Sequence, residues 1–325
     1  KVNYEIRSKL KKFTKHRNNE FIKFYISILE YLIPKNCIEN FSELHEVYSS
    51  LNWPKSPKII LTSTAHINND LFKYYAAQKQ NSGSKLFVHQ HGGGFGPGNS
   101  NLGEYFEKRI SSKFITWGWG YGLKKIIPFR FNKIKNLNIN KTKSSRGIIL
   151  SCINGYNLPG RMYNGPRDIY KTIKYNNNII DLFKNLDKNI LKFSRMSLND
   201  FNREPNLKSI IRKNFPSLLV SRHDQSLLLG IDRKNTVLNQ SKKFKLIVET
   251  LDSTGFIEAM FYNIPVVLLL DRSFINLDRS NTKKIYKLLE RENIVFYCPK
   301  KLSIHINNSY SKIEKWWYSQ KLQRC

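Results

Sequence analysis

The stretch from Lys245 to Leu270 constrains the fold more than any other. Lys245–Glu249 (KLIVE) reads as a buried strand, Thr254–Tyr262 as a helix and Pro265–Leu270 (PVVLLL) as a second strand. Strands joined through one helix and short turns lie parallel, because antiparallel neighbours are joined by hairpins. The same pattern occurs earlier. Lys58–Thr62 (KIILT) reads as a strand, Asn68–Gln80 as a helix capped by Asn68 or Asn69, and Lys85–Gln90 (KLFVHQ) and Lys113–Trp117 (KFITW) as strands. It restarts with a strand at Gly147–Cys152, a helix from Pro166 or Asp168 to Leu186 and a strand at Ile190–Ser194. A helix at Asn206–Asn214, a strand at Ser217–Ser221, a helix at Thr282–Glu292 and a strand at Ile294–Tyr297 complete it. Residues 1–33 read as mostly helix, with Phe21, Phe24, Tyr25, Ile28, Leu29 and Leu32 at three- and four-residue spacing. Between the two runs, Lys124–Arg146 carries eight Lys or Arg and no acid. The boundary is placed there, giving α/β domains over 1–145 and 146–325. The expected architecture is two Rossmann-like domains facing a cleft.

Composition narrows the function. The chain has 325 residues, 40% hydrophobic and 24% charged, which suits two folded domains and argues against global disorder. Its longest apolar run, Ile264–Leu270, has seven residues, against roughly 20 for a membrane span. Cys37, Cys152, Cys298 and Cys325 lie far apart without a CxxC pair. That excludes a sequence-local zinc site and points to a reducing, cytoplasmic setting. Lys1 in place of Met suggests a trimmed chain. Fifty-five Lys and Arg against 24 Asp and Glu give +31, an excess that calls for an anionic partner: nucleic acid, a phosphate-bearing substrate or a membrane surface.

Three segments carry chemistry. In Glu249–Ala259 (ETLDSTGFIEA) a strand ends, a polar turn follows and a helix begins at Ser253 or Thr254. Unpaired N–H groups at a helix start, two hydroxyls and Gly255 make a phosphate site, with Thr250 in the turn before it. Glu258, one turn on, can accept hydrogen bonds from a ribose diol. An ordinary N-cap is the plainer reading of the same residues. The second segment, Val88–Gly96 (VHQHGGGFG), brings His89, Gln90 and His91 to the carboxyl end of a strand. Gly92, Gly93 and Gly94 allow close backbone approach to a substrate, and Glu104, Glu107 and a Thr116–Gly120 aromatic turn follow. Zinc held by these histidines, His66 and a carboxylate lacks supporting spacing, and no Gly-Lys-Ser/Thr marks a Walker loop. The third is Val220–Asp224, where Arg222 at a strand end can neutralise a donor phosphate or a sugar carboxylate, or simply pair with Asp224. Arg161, Asn164 and Arg167, in or just after the loop following the first strand of the second domain, are similar candidates.

Gln90–Gly96 (QHGGGFG), Glu107–Trp119 (EKRISSKFITWGW) and Thr250–Ala259 (TLDSTGFIEA) resemble a family of transferases from bacterial surface-polysaccharide clusters. The resemblance spans residues 58–270 in order and is carried by the motifs. Together with Asn263–Val267 (NIPVV), the unit around Ser253 is similar to the donor half of GT-B glycosyltransferases. More distantly the arrangement resembles enzymes that move Kdo and related acidic sugars from CMP. SRHD at 221–224 is not placed in the family pattern, and the chain is shorter than is expected of a member.

The resemblance implies a GT-B-like glycosyltransferase building a surface glycan or glycoprotein. Its 146–325 domain would hold the nucleotide sugar and its 1–145 domain a glycan or lipid-linked acceptor. Arg222, Thr250, Ser253, Thr254, Gly255 and Glu258 would bind the donor nucleotide. His89, Gln90, Gly92, Gly93, Gly94 and Arg161 would line the substrate loops. No metal or other cofactor is expected, because helix N–H groups and cations can carry the leaving phosphate. The acceptor base is His91, Glu104 or Glu107, and a retaining route would use a glutamate as nucleophile. Nucleic-acid binding, suggested by charge and aromatic content, lacks a recognised motif and is not expected. An epimerase on the same scaffold would turn over donor without acceptor. Lys9, Lys11, Lys12, Lys15 and Arg17, with Lys124, Lys125, Arg130, Lys133 and Lys135 around the apolar Ile126–Phe129, are expected to hold the chain peripherally against an anionic membrane.

Overall fold

The computed structural model describes residues 2–9, 19–96, 101–120, 122–129, 146–152, 169–198, 205–219, 243–273 and 280–324. The chain is α/β, and all of its described strand pairs are parallel. It divides into two compact units, one of residues 1–91 and 107–130 and one of residues 92–106 and 131–325. The expected boundary at 145/146 falls in a stretch lying outside the described residues.

The first unit holds a four-stranded sheet in the order β1 (Ile59–Thr62), β2 (Lys85–His89), β3 (Lys113–Trp117) and β4 (Ile126–Phe129). Asn69 caps the helix Asp70–Asn81 by accepting from the Phe72 N–H at 2.9 Å, one of the two caps expected. On one sheet face Ile60, Leu86, Val88, Phe114 and Ile126 are buried, whereas Ile59, Leu61 and Phe129 on the other are exposed. Strand β4 was not expected. Its four residues include Pro128 and sit in a basic stretch, so neither length nor alternation marks it. It pairs with β3 from Phe114↔Ile126 to Trp117↔Phe129. Ile126 is therefore a core residue rather than a membrane-inserting one; Leu123 and Phe129 are exposed.

The second unit holds a five-stranded sheet built from β5 (Ile148–Cys152), β6 (Arg195–Leu198), β7 (Leu246–Glu249), β8 (Val266–Leu269) and β9 (Val295–Phe296), in the order β6-β5-β7-β8-β9. Both faces are covered. Ile148, Leu150, Val248 and Val267 pack with residues of the helices Ile169–Lys184 and Pro299–Ser309. Ile149, Ile247, Val266 and Leu268 pack on the other face with Phe256, Ala259 and Tyr286. Parallel strands buried on both faces read as continuous apolar runs, which is why β7 and β8 were legible. Two strand expectations fail. Residues 190–191 end a short helix, Lys188–Leu191, and the strand starts at Arg195. Ile190 is buried as a helical residue, and three apolar positions alone do not separate helix from strand. Pro216–Leu218 is a 3-10 turn, and among the described residues of that stretch only Leu219 bridges to Met196; Pro216 supplies no backbone donor for a ladder.

The order β6-β5-β7 points to a candidate site. From β5 the chain crosses to β6 on one side and later returns to β7 on the other. The carboxyl ends of β5 and β7 therefore flank a topological switch point, where ligands of open α/β sheets bind.

Candidate functional site

In the second unit, β7 ends at Glu249 and the helix Thr254–Phe261 begins four residues later. Ser253 is the N-cap: its backbone is extended and its Oγ accepts from the Gly255 N–H at 3.2 Å. The turn is braced from beneath. Thr250 Oγ1 donates to the Ser151 carbonyl at 3.0 Å and lies 2.6 Å from the Tyr175 hydroxyl. Asp252 accepts from the Tyr286 hydroxyl at 2.9 Å. Thr250 is buried, and its hydroxyl bonds support the turn. Burial, with the Asp252 charge, drives the Tyr286 hydroxyl well above its ordinary value and keeps it a donor.

The glycine-rich segment 92–96 belongs to this second unit and rests on the helix start. The Gly93 N–H donates to Thr254 Oγ1 at 2.9 Å. A Cβ at Gly93 would lie 2.5 Å from the Ser253 carbonyl carbon and 2.6 Å from the Thr254 nitrogen. Only glycine fits so close to another backbone. Gly92 is also near Thr254, and Gly94 and Gly96 have φ of 79° and 98°. Glu104 holds this loop: its Oε2 accepts from the Gly96 N–H at 2.8 Å, and its own N–H donates to Asn101 Oδ1 at 2.6 Å. Asn101 Nδ2 donates in turn to the Gly94 carbonyl at 3.0 Å. Glu104 is buried, and these bonds describe a loop brace. Glu258 is half-buried one turn into the helix.

The first unit carries a different cluster. The carboxylate of Glu107, 1% exposed, places Oε1 3.2 Å from His66 Nε2 and 3.5 Å from His91 Nδ1. His66 is buried on the short helix Ala65–Asn68, whereas one third of the His91 side chain is exposed. The sequence raised His66 only as a zinc ligand; here it is the buried partner of Glu107. No group of three or more His, Cys, Asp or Glu suited to a metal ion occurs among the described residues. His89 ends β2 and is buried, and burial holds its imidazole below the usual value. Gln90 is buried, and its amide oxygen accepts from Trp117 N–H at 3.1 Å and Trp119 Nε1 at 2.9 Å. The Thr116 hydroxyl donates to the Trp119 carbonyl and closes the same turn.

Several expected contributors, Arg161, Asn164, Arg167, Arg222 and Asp224, lie outside the described residues, as do Lys11, Lys12, Lys15, Arg17, Arg130, Lys133 and Lys135. No described helix is long and apolar enough to cross a membrane.

A parallel α/β chain with a helix start at a sheet switch point and, in its first unit, a buried Glu–His cluster offers candidate binding and proton-transfer groups. The chain belongs to the LIC12162 family transferases, whose family model matches residues 1–325. It is thus a transferase. No curated protein matches the chain.

Proposed function

We propose that this transferase moves a glycosyl group from a nucleotide sugar, a CMP-linked acidic sugar being the foremost candidate, to a hydroxyl of a surface glycan, glycoprotein or lipid-linked acceptor. One observation carries the reading: the helix start Ser253–Gly255 stands at the switch point of the second sheet with the glycine loop bonded to it. Each hydroxyl there already accepts one bond; Thr254 retains its hydrogen to donate, and that of Ser253 is engaged only by a long 3.5 Å contact with Glu249 Oε2. The Ser253 and Thr254 hydroxyls and the first N–H groups of the helix bind the donor phosphate, and the helix dipole favours the charge left on the departing nucleotide. Glu258 is assigned the ribose hydroxyls.

For the transfer, the acceptor oxygen forms a bond to the anomeric carbon as the bond from that carbon to the phosphate oxygen breaks. The acceptor proton passes to the His91 imidazole, and Glu107 stabilises the resulting cation. Glu104 and Gln90, engaged in holding loops, take supporting parts. The leaving charge is met by N–H groups and hydroxyls, so the reading assigns no metal ion. The basic surface, including exposed Lys124, is assigned to an anionic membrane face, and co-sedimentation equal for neutral and anionic liposomes would refute that part.

The test of the donor reading is a thermal-shift panel of CMP, UDP, GDP and dTDP with their sugars. A ligand that binds native protein raises the midpoint as occupancy rises. One nucleotide is expected to stabilise the chain, its sugar conjugate at least equally; a flat panel contradicts the reading.

A further inference from the structure

Glu249 has no part in the binding scheme above, yet it stands directly behind it. It ends β7 with Ser151 of β5 as its register partner, and it is 1% exposed. Its Oε1 has no hydrogen-bond partner, and Ser253 Oγ reaches Oε2 only at 3.5 Å. The carboxyl abuts Gly255, where any Cβ would collide with Oε1. It therefore fills the space beside Gly255 in the first turn of the helix.

Among the described residues, the groups around it offer no cation. Ser151 on β5 and Ser253 in the turn contribute hydroxyls, and Glu258 on the helix contributes an opposing negative charge. In the same turn Asp252 is engaged by Tyr286 and Thr250 by Tyr175. The glycine segment 92–96 carries no titratable side chain. Burial first, and then the charge of Glu258, push the Glu249 carboxyl up to about 8, while the two serine hydroxyls act against the rise. At neutral pH it is an uncharged acid.

We propose that Glu249 is a positioning residue of the anion site: kept protonated beneath the helix start, it leaves the positive field of that terminus intact, and its ionisation closes the site to phosphate. The proposal rests on the reading of Ser253–Gly255 as the phosphate cradle. A carboxylate here would offset the partial positive charge of the helix terminus, about half an elementary charge, and would repel the incoming dianion.

The experiment is calorimetric titration of CMP, and separately of inorganic phosphate, into the full chain and its Glu249→Gln variant between pH 7.5 and 9.5. The phosphate monoester of CMP is already a dianion there, its second ionisation lying near ~6. Wild-type affinity for CMP is expected to fall roughly 20- to 30-fold across the range, while Glu249→Gln stays flat. A parallel fall in both proteins, or a fall in neither, overturns the proposal while leaving the phosphate cradle standing. Absence of binding to either protein at pH 7.5 overturns the cradle and the proposal together. A second measurement needs no variant. CMP binding to the wild type at pH 8.5, in buffers of different ionisation enthalpy, is expected to take up more than about half a proton; no uptake overturns the proposal.

Discussion

Glu107 in the first unit and Glu249 in the second are each 1% exposed, and each keeps one carboxyl oxygen without a hydrogen-bond partner. Their other oxygens meet different company. Glu107 faces two imidazoles, at 3.2 and 3.5 Å, whereas Glu249 meets serine hydroxyls and the backbone of Gly255. A carboxylate between imidazoles can hold one of them ready to receive a proton. A carboxyl among hydroxyls and apolar surroundings avoids the desolvation cost of its charge by keeping its own proton. The two carboxyls are equally buried, and they differ in the groups that meet them. Glu104, equally buried, sharpens the point. It accepts from the Gly96 N–H and braces a loop.

The comparison is broken most directly at the imidazoles. His91→Ala is expected to cut turnover by about 10²- to 10⁴-fold with nucleotide affinity nearly unchanged, since the loss falls on proton transfer. Steady-state rates together with calorimetric affinity check this. Equal loss of rate and nucleotide affinity would assign His91 to the donor site instead.

Next in size is the pH dependence of stability set by Glu249. Its carboxyl is raised from 4.5 to about 8, so the folded chain keeps a proton that the unfolded chain releases. That contribution is fully present below about 4.5 and is lost as pH rises to about 8. Denaturant titrations should show the wild type losing about 3 to 4 kcal/mol relative to Glu249→Gln between pH 5 and 8. The same slope in both proteins would show Glu249 ionised like a surface acid.

Two smaller effects separate close approach from backbone conformation in the glycine loop. Gly93→Ala meets the Ser253–Thr254 backbone and should cost about 1 to 3 kcal/mol. Gly94→Ala has open space but a φ of 79°, so its cost should be nearer ~1 kcal/mol. Unfolding midpoints of the two variants check the order; a costlier Gly94→Ala would show that the contact with the helix start is loose.

Much of this was legible beforehand, for physical reasons particular to each element. The strands β7 and β8 were found because both faces are buried and the apolar run is continuous. The Ser253 cap was found because a serine directly ahead of a helical pattern can accept from the first free N–H groups. Strand β4 escaped because its four residues include a proline within a basic stretch, and what marks it is its pairing with β3. The same limit holds at the sites. The sequence grouped His91, Glu104 and Glu107 as candidate bases, but only packing separates a loop brace from a partner of two imidazoles. Nothing in the sequence marked Glu249 as neutral, because burial and the nearness of Glu258 are tertiary facts. His66 was visible only as a stray histidine until the fold carried it to Glu107, 41 positions away.

The central claim is that the helix start Ser253–Gly255 holds the donor nucleotide. Isothermal titration of the best-binding nucleotide into the wild type and the Ser253→Ala, Thr254→Ala double variant tests it most directly. Affinity is expected to weaken by about 1 to 3 kcal/mol in a variant that remains folded, from the loss of two charge-assisted donors. Unchanged affinity in a well-folded double variant would mean that this helix start is a cap and nothing more, and would contradict the claim.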